Sequence, residues 1–377
     1  MKPKIAYVVT DYTNSGGIER VLSNKANYFV NLDYDILIIT FAHNREKKPF
    51  FHFDDRIKFY ELYLPLSEYK LNSKRMRGLF AEKLRELLEE IKPDITVGIG
   101  LDLGFYTYLS KDGSVKILES HFSKYKRKLK MIEMDKWLLT RFIPFIYYYK
   151  QTRLVKQYDR FVVLTEEDKE SWKGVDNIAV IPNSLSFVPK EKSKVISKNI
   201  IAIGRFATQK GFDKLLKIWK DVSPHFPDWH LNIYGSGTNR KKKKLEDYIA
   251  KHNLSNTTEL KAPTSNIVEE FLNSSIYAMT SRYEGLPMVL IEAMACGVPP
   301  VSYACKCGPR DVIKDQEDGF LVDVNDKNTF IERLSQLMEN ENLRKKMGQA
   351  ASENILRLSE DKVMKQWIEL FDELTKR

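Results

Sequence analysis

Two glutamates at a defined spacing are the residues of this sequence most able to do chemistry. Glu284 and Glu292 lie eight positions apart, within the stretch from Thr280 to Gly297. The apolar residues around Glu292 predict a buried helix of about three turns, with Pro287 at its first position and Gly297 just past its end. A buried carboxylate is unfavourable unless it is paired or hydrogen-bonded, so Glu292 indicates a binding function.

Glu284 lies in the loop before this predicted helix, beside backbone N–H groups that have no partner inside the helix. These N–H groups and the positive end of the helix dipole can bind a phosphate, while carboxylates accept hydrogen bonds from sugar hydroxyls. Phosphate and hydroxyls together indicate a nucleotide sugar. We therefore predict a catalytic role for Glu284 and substrate contacts for six residues that follow it: Gly285, Leu286, Pro287, Met288, Val289 and Glu292.

The run Glu284-Gly-Leu-Pro-Met-Val-Leu-Ile-Glu-Ala-Met-Ala-Cys-Gly-Val-Pro299 resembles the signature of retaining glycosyltransferases of the GT-B fold. The resemblance is to glycosyltransferase family four, of the type that makes bacterial cell-surface polysaccharides, and it is strongest over residues 199–323. It implies an α/β protein of two Rossmann-like domains that face each other across a cleft, with a C-terminal helix that crosses back. The alternative is an ordinary buried helix with an accidental glutamate.

Two cations follow the strand that we predict at Asn199–Gly204. Arg205 and Lys210 lie five positions apart in Gly-Arg-Phe-Ala-Thr-Gln-Lys-Gly, a loop that leads into a predicted helix. Cations at this spacing beside a glycine suit a diphosphate, and the run matches the diphosphate clamp of the resembling family. Gly235 and Gly237 form a G-x-G that is weak by itself, and the resemblance places nucleoside contacts there.

The first half of the chain offers a second glycine pair and a histidine. Gly16 and Gly17 follow the predicted strand Lys4–Thr10 without forming a G-x-G-x-x-G fingerprint. The resemblance implies that they face the donor diphosphate and the acceptor, and a plain turn is the alternative. His121 directly follows the predicted strand Val115–Glu119, where open parallel sheets bind ligands. The resemblance places it near the reacting sugar, and a structural histidine is the alternative.

The net charge of +10 is concentrated in one segment. Residues 121–160, here called the basic segment, contain eleven Lys and Arg against three Asp and Glu. Cations interleaved with aromatic residues suit an interfacial helix on anionic lipid. One alternative is a solvated helix face. Basic and aromatic residues also suit single-stranded nucleic acid, but nothing elsewhere in the sequence looks like a nucleic-acid-binding module, so we predict no nucleic-acid partner. The predicted membrane contacts are Lys124, Lys126, Arg127, Lys128, Lys130 and Trp137.

Length and composition limit the remaining choices. The 377 residues suffice for two domains, which we place at 1–185 with a crossover helix at 359–377, and at 186–358. The first would bind the acceptor and the second the nucleotide sugar. Three sparse cysteines, no signal sequence and no long apolar run predict a cytoplasmic protein, peripheral on the inner face of the cell membrane.

We predict no metal and no cofactor. Asp33-Tyr34-Asp35 spells the D-x-D of metal-dependent transferases, but it precedes a predicted strand instead of following one, which indicates a solvated turn. Cys305-Lys306-Cys307 has no second pair of ligands and no nearby histidine, which excludes a zinc site of the usual spacing.

These features together predict an enzyme: a retaining hexosyl- or N-acetylhexosaminyltransferase. The donor would be a nucleotide diphosphate sugar, expected to be UDP-linked, and the acceptor a lipid-linked or other membrane-borne saccharide. His121, Arg205, Lys210 and Glu284 would be catalytic, with the two cations stabilising the leaving diphosphate. A same-fold nucleotide-sugar epimerase and a non-catalytic nucleotide-sugar-binding subunit are the alternatives.

Overall fold

The computed structural model describes residues 2–14, 16–41, 48–64, 73–100, 103–124, 143–264 and 266–376. These residues form two compact units. The first comprises residues 2–124, 143–184 and 360–376 within the described ranges, and the second comprises residues 185–359. Each unit alternates strands with helices around a parallel sheet, which is the Rossmann-like arrangement of a GT-B protein that the sequence predicts.

The first unit is built on a seven-stranded parallel sheet in the order β3-β2-β1-β4-β5-β6-β7. Its strands are continuous apolar runs, since helices cover both faces of a parallel sheet. In β1, an interior strand of the sheet, Ile5, Ala6, Tyr7 and Val8 are fully buried. The strands are β1 Lys4–Val9, β2 Asp35–Thr40, β3 Lys58–Glu61, β4 Ile95–Ile99, β5 Val115–Glu119, β6 Arg160–Val163 and β7 Ile178–Val180.

The described helices of this unit are α1 Gly17–Asn31, α2 Lys74–Ile91, α3 Ile143–Val155 and α4 Glu166–Ser171, with a 3-10 segment at Leu103–Leu109. Asp33 and Tyr34 of the D-x-D lie between α1 and β2, and Asp35 is the first residue of β2. Asp33 has a φ of 62° and is exposed, as expected of a turn. Of the helices that the structure describes, none is both long and apolar enough to cross a bilayer.

The last helix of the chain, α12 Glu360–Thr375, belongs to the first unit and not to the second. Its apolar stripe includes Met364, Trp367 and Phe371, which are buried in one core with residues of β1 and α1. Phe371 packs against Phe29 of α1 with ring centroids 5.4 Å apart. The predicted return of the C-terminal helix to the first domain is therefore confirmed.

The second unit has a six-stranded parallel sheet in the order β10-β9-β8-β11-β12-β13. Its strands are β8 Asn199–Ile203, β9 His230–Tyr234, β10 Thr258–Lys261, β11 Ile276–Met279, β12 Pro300–Tyr303 and β13 Phe320–Val322. Its helices are α5 Phe212–Val222, α6 Asn239–Lys251, α7 Ile267–Leu272, α8 Met288–Ala295, α9 Pro309–Val312, α10 Lys327–Glu339 and α11 Glu341–Asn354, with 3-10 segments at Thr208–Lys210, Ser223–His225 and Ile355–Leu358.

The helix that carries Glu292 is shorter than the sequence suggests. It begins at Met288 and has eight residues, so it makes about two turns instead of three. Pro287 is the capping residue and not the first helical one: its φ is −79° and its ψ 85°, and its carbonyl accepts from Leu290 and Ile291. Gly297 lies just past the helix, as predicted, and its φ of 75° is the left-handed conformation that glycine adopts readily at helix ends.

Candidate active site

The second sheet has a switch point between β8 and β11. From β8 the chain moves through β9 to β10 on one side, and from β11 through β12 to β13 on the other. Loops that leave the carboxyl ends of neighbouring parallel strands lie side by side, and ligands of such sheets bind there. Two loops flank this point: residues 205–211 after β8, called the basic loop, and residues 280–287 after β11, called the glutamate loop.

The two loops meet through an ion pair. Nζ of Lys210 lies 2.8 Å from Oε1 of Glu284, with the two side chains 17% and 7% exposed. Gln209 donates its side-chain N–H to the carbonyl of Tyr283 at 3.0 Å and lies 3.4 Å from Oε2 of Glu284. Two residues that were predicted separately, 74 positions apart, thus form one polar cluster at the switch point.

A second ion pair attaches the glutamate loop to α5, the helix that follows the basic loop. Arg282 donates to both carboxylate oxygens of Asp213 at 2.8 and 2.7 Å, and its backbone N–H donates to the carbonyl of Gln209 at 2.7 Å. Burial would raise the pKa of Asp213, but the hydrogen bonds and charge of Arg282 hold it below the usual value. The carboxylate of Asp213 therefore stays ionised and keeps its pairing with Arg282. The backbone hydrogen bond from Arg282 to Gln209 connects the glutamate loop directly to the basic loop.

Glycines allow the loops to approach this closely. Gly211 has a φ of 68°, and a Cβ there would lie 2.0 Å from the carbonyl oxygen of Thr280. A Cβ on Gly235 would lie 1.9 Å from the carbonyl oxygen of Gly204, and one on Gly237 would meet Phe206 at 2.7 Å. The structure thus gives Gly235 and Gly237 a packing role against the start of the basic loop.

The start of α8 is also part of this cluster. The backbone N–H of Glu284 donates to the carbonyl of Lys306 at 2.7 Å, which fixes the loop just before the helix. The backbone N–H groups of Met288 and Val289 donate to no acceptor among the residues that the structure describes. Gly285 is half-buried, and Leu286 is 9% exposed. This helix end therefore presents two donors beside the ion pair of Lys210 and Glu284.

Glu292 is buried in α8, with 3% of its surface exposed. Its charge and that of Glu284 both act on Tyr277 of β11, whose pKa is raised first by burial and then by these carboxylates. Both glutamates of the motif therefore lie near one buried phenol. Arg205, by contrast, is exposed, and its side chain forms no ion pair or hydrogen bond with any residue that the structure describes. The structure brings Lys210 to Glu284 but leaves Arg205 apart.

A cavity of about 460 Å³ lies on another side of the basic loop. Phe206, Phe212 and Leu245 form its apolar wall, and Arg240, Lys241 and Lys244 of α6 line it. Lys210 and Glu284 are not among its lining residues. The polar cluster at the switch point is therefore separate from this cavity.

In the first unit, His121 follows β5 as predicted and is 8% exposed. Its Nε2 lies 3.3 Å from Oε1 of Glu119, and the same oxygen lies 2.5 Å from Nζ of Lys25 on α1. Burial would raise the pKa of Glu119, but the charges of Lys25 and His121 lower it to about 2. At the start of α1, Gly16 is the capping residue and Gly17 the first helical residue, with open space where its Cβ would be.

Comparison with known proteins identifies a family that matches most of the second unit and relatives that match nearly the whole chain. Residues 186–354 match the family described as "Glycosyl transferases group 1". The chain is 30% identical over 375 residues to an uncharacterised glycosyltransferase of Haemophilus influenzae, covering 97% of this chain and 98% of that protein. It is 30% identical over 385 residues to the amylovoran biosynthesis glycosyltransferase AmsD of Erwinia amylovora, covering 98% and 99%.

The chain belongs to the group 1 glycosyltransferases. A crystal structure of a Staphylococcus aureus TarM mutant, in complex with fondaparinux, alpha-GlcNAc-glycerol and UDP, shares the fold of this glycosyltransferase with a TM-score of 0.75. The sequences are 18% identical, and the alignment covers 98% of this chain and 100% of that one. Among the relatives of this glycosyltransferase are AmsD, of amylovoran biosynthesis, and, at 23% identity, the lipopolysaccharide 1,6-galactosyltransferase of Salmonella typhimurium.

Of the predicted membrane contacts, the structure describes Lys124, which makes contacts within the protein. In this glycosyltransferase Lys124 is half-buried: its Nζ donates to the carbonyl of Ser171 at 2.8 Å and lies 4.5 Å from the ring centre of Trp172. Burial lowers its pKa, and the charge of Asp168 opposes that shift. Lys124 therefore attaches its own loop to α4. The other predicted membrane contacts, Lys126, Arg127, Lys128, Lys130 and Trp137, lie outside the described residues.

Sequence reasoning missed Lys25, Glu119 and Gln209. A signal existed for Lys25, because it lies on the apolar stripe of α1 between Leu22 and Ala26, where a cation needs a partner. Glu119 ends an apolar strand and is buried in the same way. Nothing in the sequence indicated that these two residues meet.

We expect Gly211→Ala to destabilise the second unit by more than about 1 kcal/mol, because alanine is strained at positive φ and its Cβ would overlap Thr280. Denaturant unfolding measures this change. Gly78→Ala is the matched control: Gly78 lies within α2 with no atom near its Cβ position, so alanine should stabilise by about 0.5–1 kcal/mol. Equal stability of the two variants would contradict the packing role of Gly211.

Proposed function

We propose that this glycosyltransferase is a retaining, metal-independent hexosyl- or N-acetylhexosaminyltransferase of glycosyltransferase family four. Its donor is a UDP-linked sugar, and its acceptor is a lipid-linked or other membrane-borne saccharide in surface glycan synthesis. The observation that supports this most is the ion pair of Lys210 and Glu284 at the switch point, beside the N-terminus of α8. The role of AmsD in amylovoran biosynthesis and the UDP bound to TarM point the same way.

The donor would use both members of the ion pair. Breaking the bond between the anomeric carbon and the phosphate oxygen leaves negative charge on the diphosphate. The ammonium of Lys210 and the N–H groups of Met288 and Val289 are preorganised to stabilise this charge. The guanidinium of Arg205, which is exposed to solvent, would supply a second positive charge. Glu284 would accept hydrogen bonds from the sugar hydroxyls, and Glu292 from the ribose.

The proposed chemistry proceeds on one face of the sugar. The acceptor oxygen forms its bond to the anomeric carbon on the face that the diphosphate leaves, and the acceptor proton passes to the leaving phosphate oxygen. Configuration is therefore retained without a carboxylate nucleophile. His121 would lie near the reacting sugar, where a neutral imidazole can accept a hydrogen bond from a hydroxyl group.

A donor panel tests this function. Purified protein, a lipid extract and a set of nucleotide sugars should release nucleotide diphosphate with one UDP-sugar, and the product linkage should keep the anomeric configuration. The rate should be the same with EDTA. An isomerised nucleotide sugar without transfer would establish an epimerase, whereas binding without turnover of any donor would establish a binding subunit.

We expect Lys210→Met to lower kcat/KM by about a hundredfold or more, or about 2.7 kcal/mol, as the loss of one preorganised donor does. Glu284→Gln should reduce turnover of the intact donor while calorimetry shows that free UDP still binds. Lys242→Met is the control, because Lys242 is an exposed lysine of α6 that pairs with Glu246. Wild-type turnover in Lys210→Met would remove the ion pair from the mechanism.

A peripheral membrane position for the basic segment is a further part of the proposal. Each cation near an anionic bilayer contributes about 1 kcal/mol, and salt screens the attraction. Changing Lys126, Arg127, Lys128 and Lys130 to Gln should therefore abolish co-sedimentation with anionic liposomes, while Lys124 stays unchanged. Changing Lys241–Lys244 to Gln removes equal charge from α6 and should leave sedimentation intact. Loss in both variants would indicate general charge attraction instead of a specific segment.

A further inference from the structure

The core of the first unit contains an ion pair that the proposed transfer chemistry does not by itself require. Nζ of Lys25 on α1 lies 2.5 Å from Oε1 of Glu119 on β5, and the side chains are 3% and 1% exposed. Replacing a buried ion pair by apolar residues of similar size is often neutral or stabilising, so burial alone does not explain the pair. Its other contacts indicate what it does.

The first such contact is with His121. Oε1 of Glu119, which accepts from Lys25, also lies 3.3 Å from Nε2 of the imidazole. A carboxylate at this position assigns the proton of the neutral imidazole to Nε2, which leaves the lone pair on Nδ1. Glu119 therefore fixes both the tautomer and the ring orientation, and Nδ1 is the atom that can accept a hydrogen bond from a hydroxyl group.

The second contact is with the end of the chain. Nζ of Lys25 lies 3.8 Å from the ring centre of Trp367 on α12, close enough for a cation–π interaction. Trp367 is 1% exposed. The order of contacts is thus Trp367, Lys25, Glu119 and His121, and it connects the C-terminal helix to the candidate catalytic histidine.

We propose that Lys25 and Glu119 are positioning residues that hold His121 as a neutral hydrogen-bond acceptor, and that Trp367 completes this network from the C-terminal helix. The proposal rests on the proposed function in one respect, the catalytic use of His121. Lys25 has a defined part: its charge balances that of Glu119, so the carboxylate orients the imidazole without strongly favouring its protonation.

The charged groups that face His121 set the sign of the test. Among the described residues, they are Lys25 and Glu19 on α1 and Glu119 on β5. Burial and the charge of Glu119 raise the pKa of Tyr7 on β1, so this phenol stays neutral. Removing Glu119 leaves the positive charge of Lys25, which disfavours protonated His121. Removing Lys25 leaves the negative charge of Glu119, which favours protonated His121.

The variants are Glu119→Gln, Lys25→Met and the double variant. We expect kcat to fall about tenfold or more in each, with little change in the KM for the donor, because the second unit is untouched. The acid limb of the pH–rate profile should move to lower pH in Glu119→Gln and to higher pH in Lys25→Met. In the double variant it should return to the wild-type position, since both charges are gone. Shifts in the same direction, or none, would overturn the proposal.

Folding is controlled in two ways. Lys25→Met leaves a buried carboxylate without its counter-charge and can unfold, whereas the double variant removes both charges and stays folded. A matched control is another buried pair of the first unit, Lys116 of β5 and Asp112 just before that strand, with side chains 8% and 1% exposed. Lys116→Met with Asp112→Asn removes a buried pair elsewhere and should leave the pH profile of folded protein unchanged. A shifted profile in this control would mean that any loss of a buried pair moves it.

A readout without turnover separates the network from the function. The chain has six histidines, and His121→Gln identifies the imidazole resonance of His121 in protein labelled with ¹³C-histidine. The pH at which this resonance titrates should move in opposite directions in Glu119→Gln and Lys25→Met, and Trp367→Leu should alter its position. Opposite shifts without any transferase activity would retain the network and reject the proposed function. Unmoved resonances in an active enzyme would reject the network alone.

Discussion

The meeting of the basic loop and the glutamate loop at the switch point is the constraint on which the candidate site depends. Neither loop carries a complete site by itself: one supplies the ammonium of Lys210, and the other supplies the carboxylate of Glu284 and the start of α8. They can meet because β8 and β11 are neighbours in the sheet. Strand order, loop glycines and the pair of Arg282 and Asp213 all serve this one approach.

The sequence predicted much of this because its signals were local. Continuous apolar runs identified the parallel strands, and a glycine past the end of α8 identified its C-terminus. The helix start was misplaced because proline suits either of two adjacent positions, and only the hydrogen bonds from Leu290 and Ile291 to its carbonyl separate them. Lys210 and Glu284 were each predicted from their own motif, but their contact depends on strand order.

Non-local pairing explains what the sequence did not predict. Lys25 and Glu119 are 94 positions apart, and Lys124 is 47 positions from the carbonyl of Ser171 that accepts from its ammonium. Lys124 was predicted to contact a membrane from the composition of its own segment, and its hydrogen bond to α4 could not be predicted from that segment. A cation in a sequence does not reveal whether an acceptor elsewhere in the fold reaches it.

The return of α12 to the first unit has a consequence for synthesis of the chain. α12 is translated after residues 185–359, so the first unit lacks Trp367 and Phe371 until those residues of the second unit have been made. Until then its central sheet leaves apolar surface uncovered, which is a condition that favours aggregation and chaperone binding. The described residues of the second unit, 185–359, are consecutive, so this part of the unit does not wait for α12. The first unit, whose sheet is translated before residues 185–359, can therefore complete its folding only after those residues have been translated.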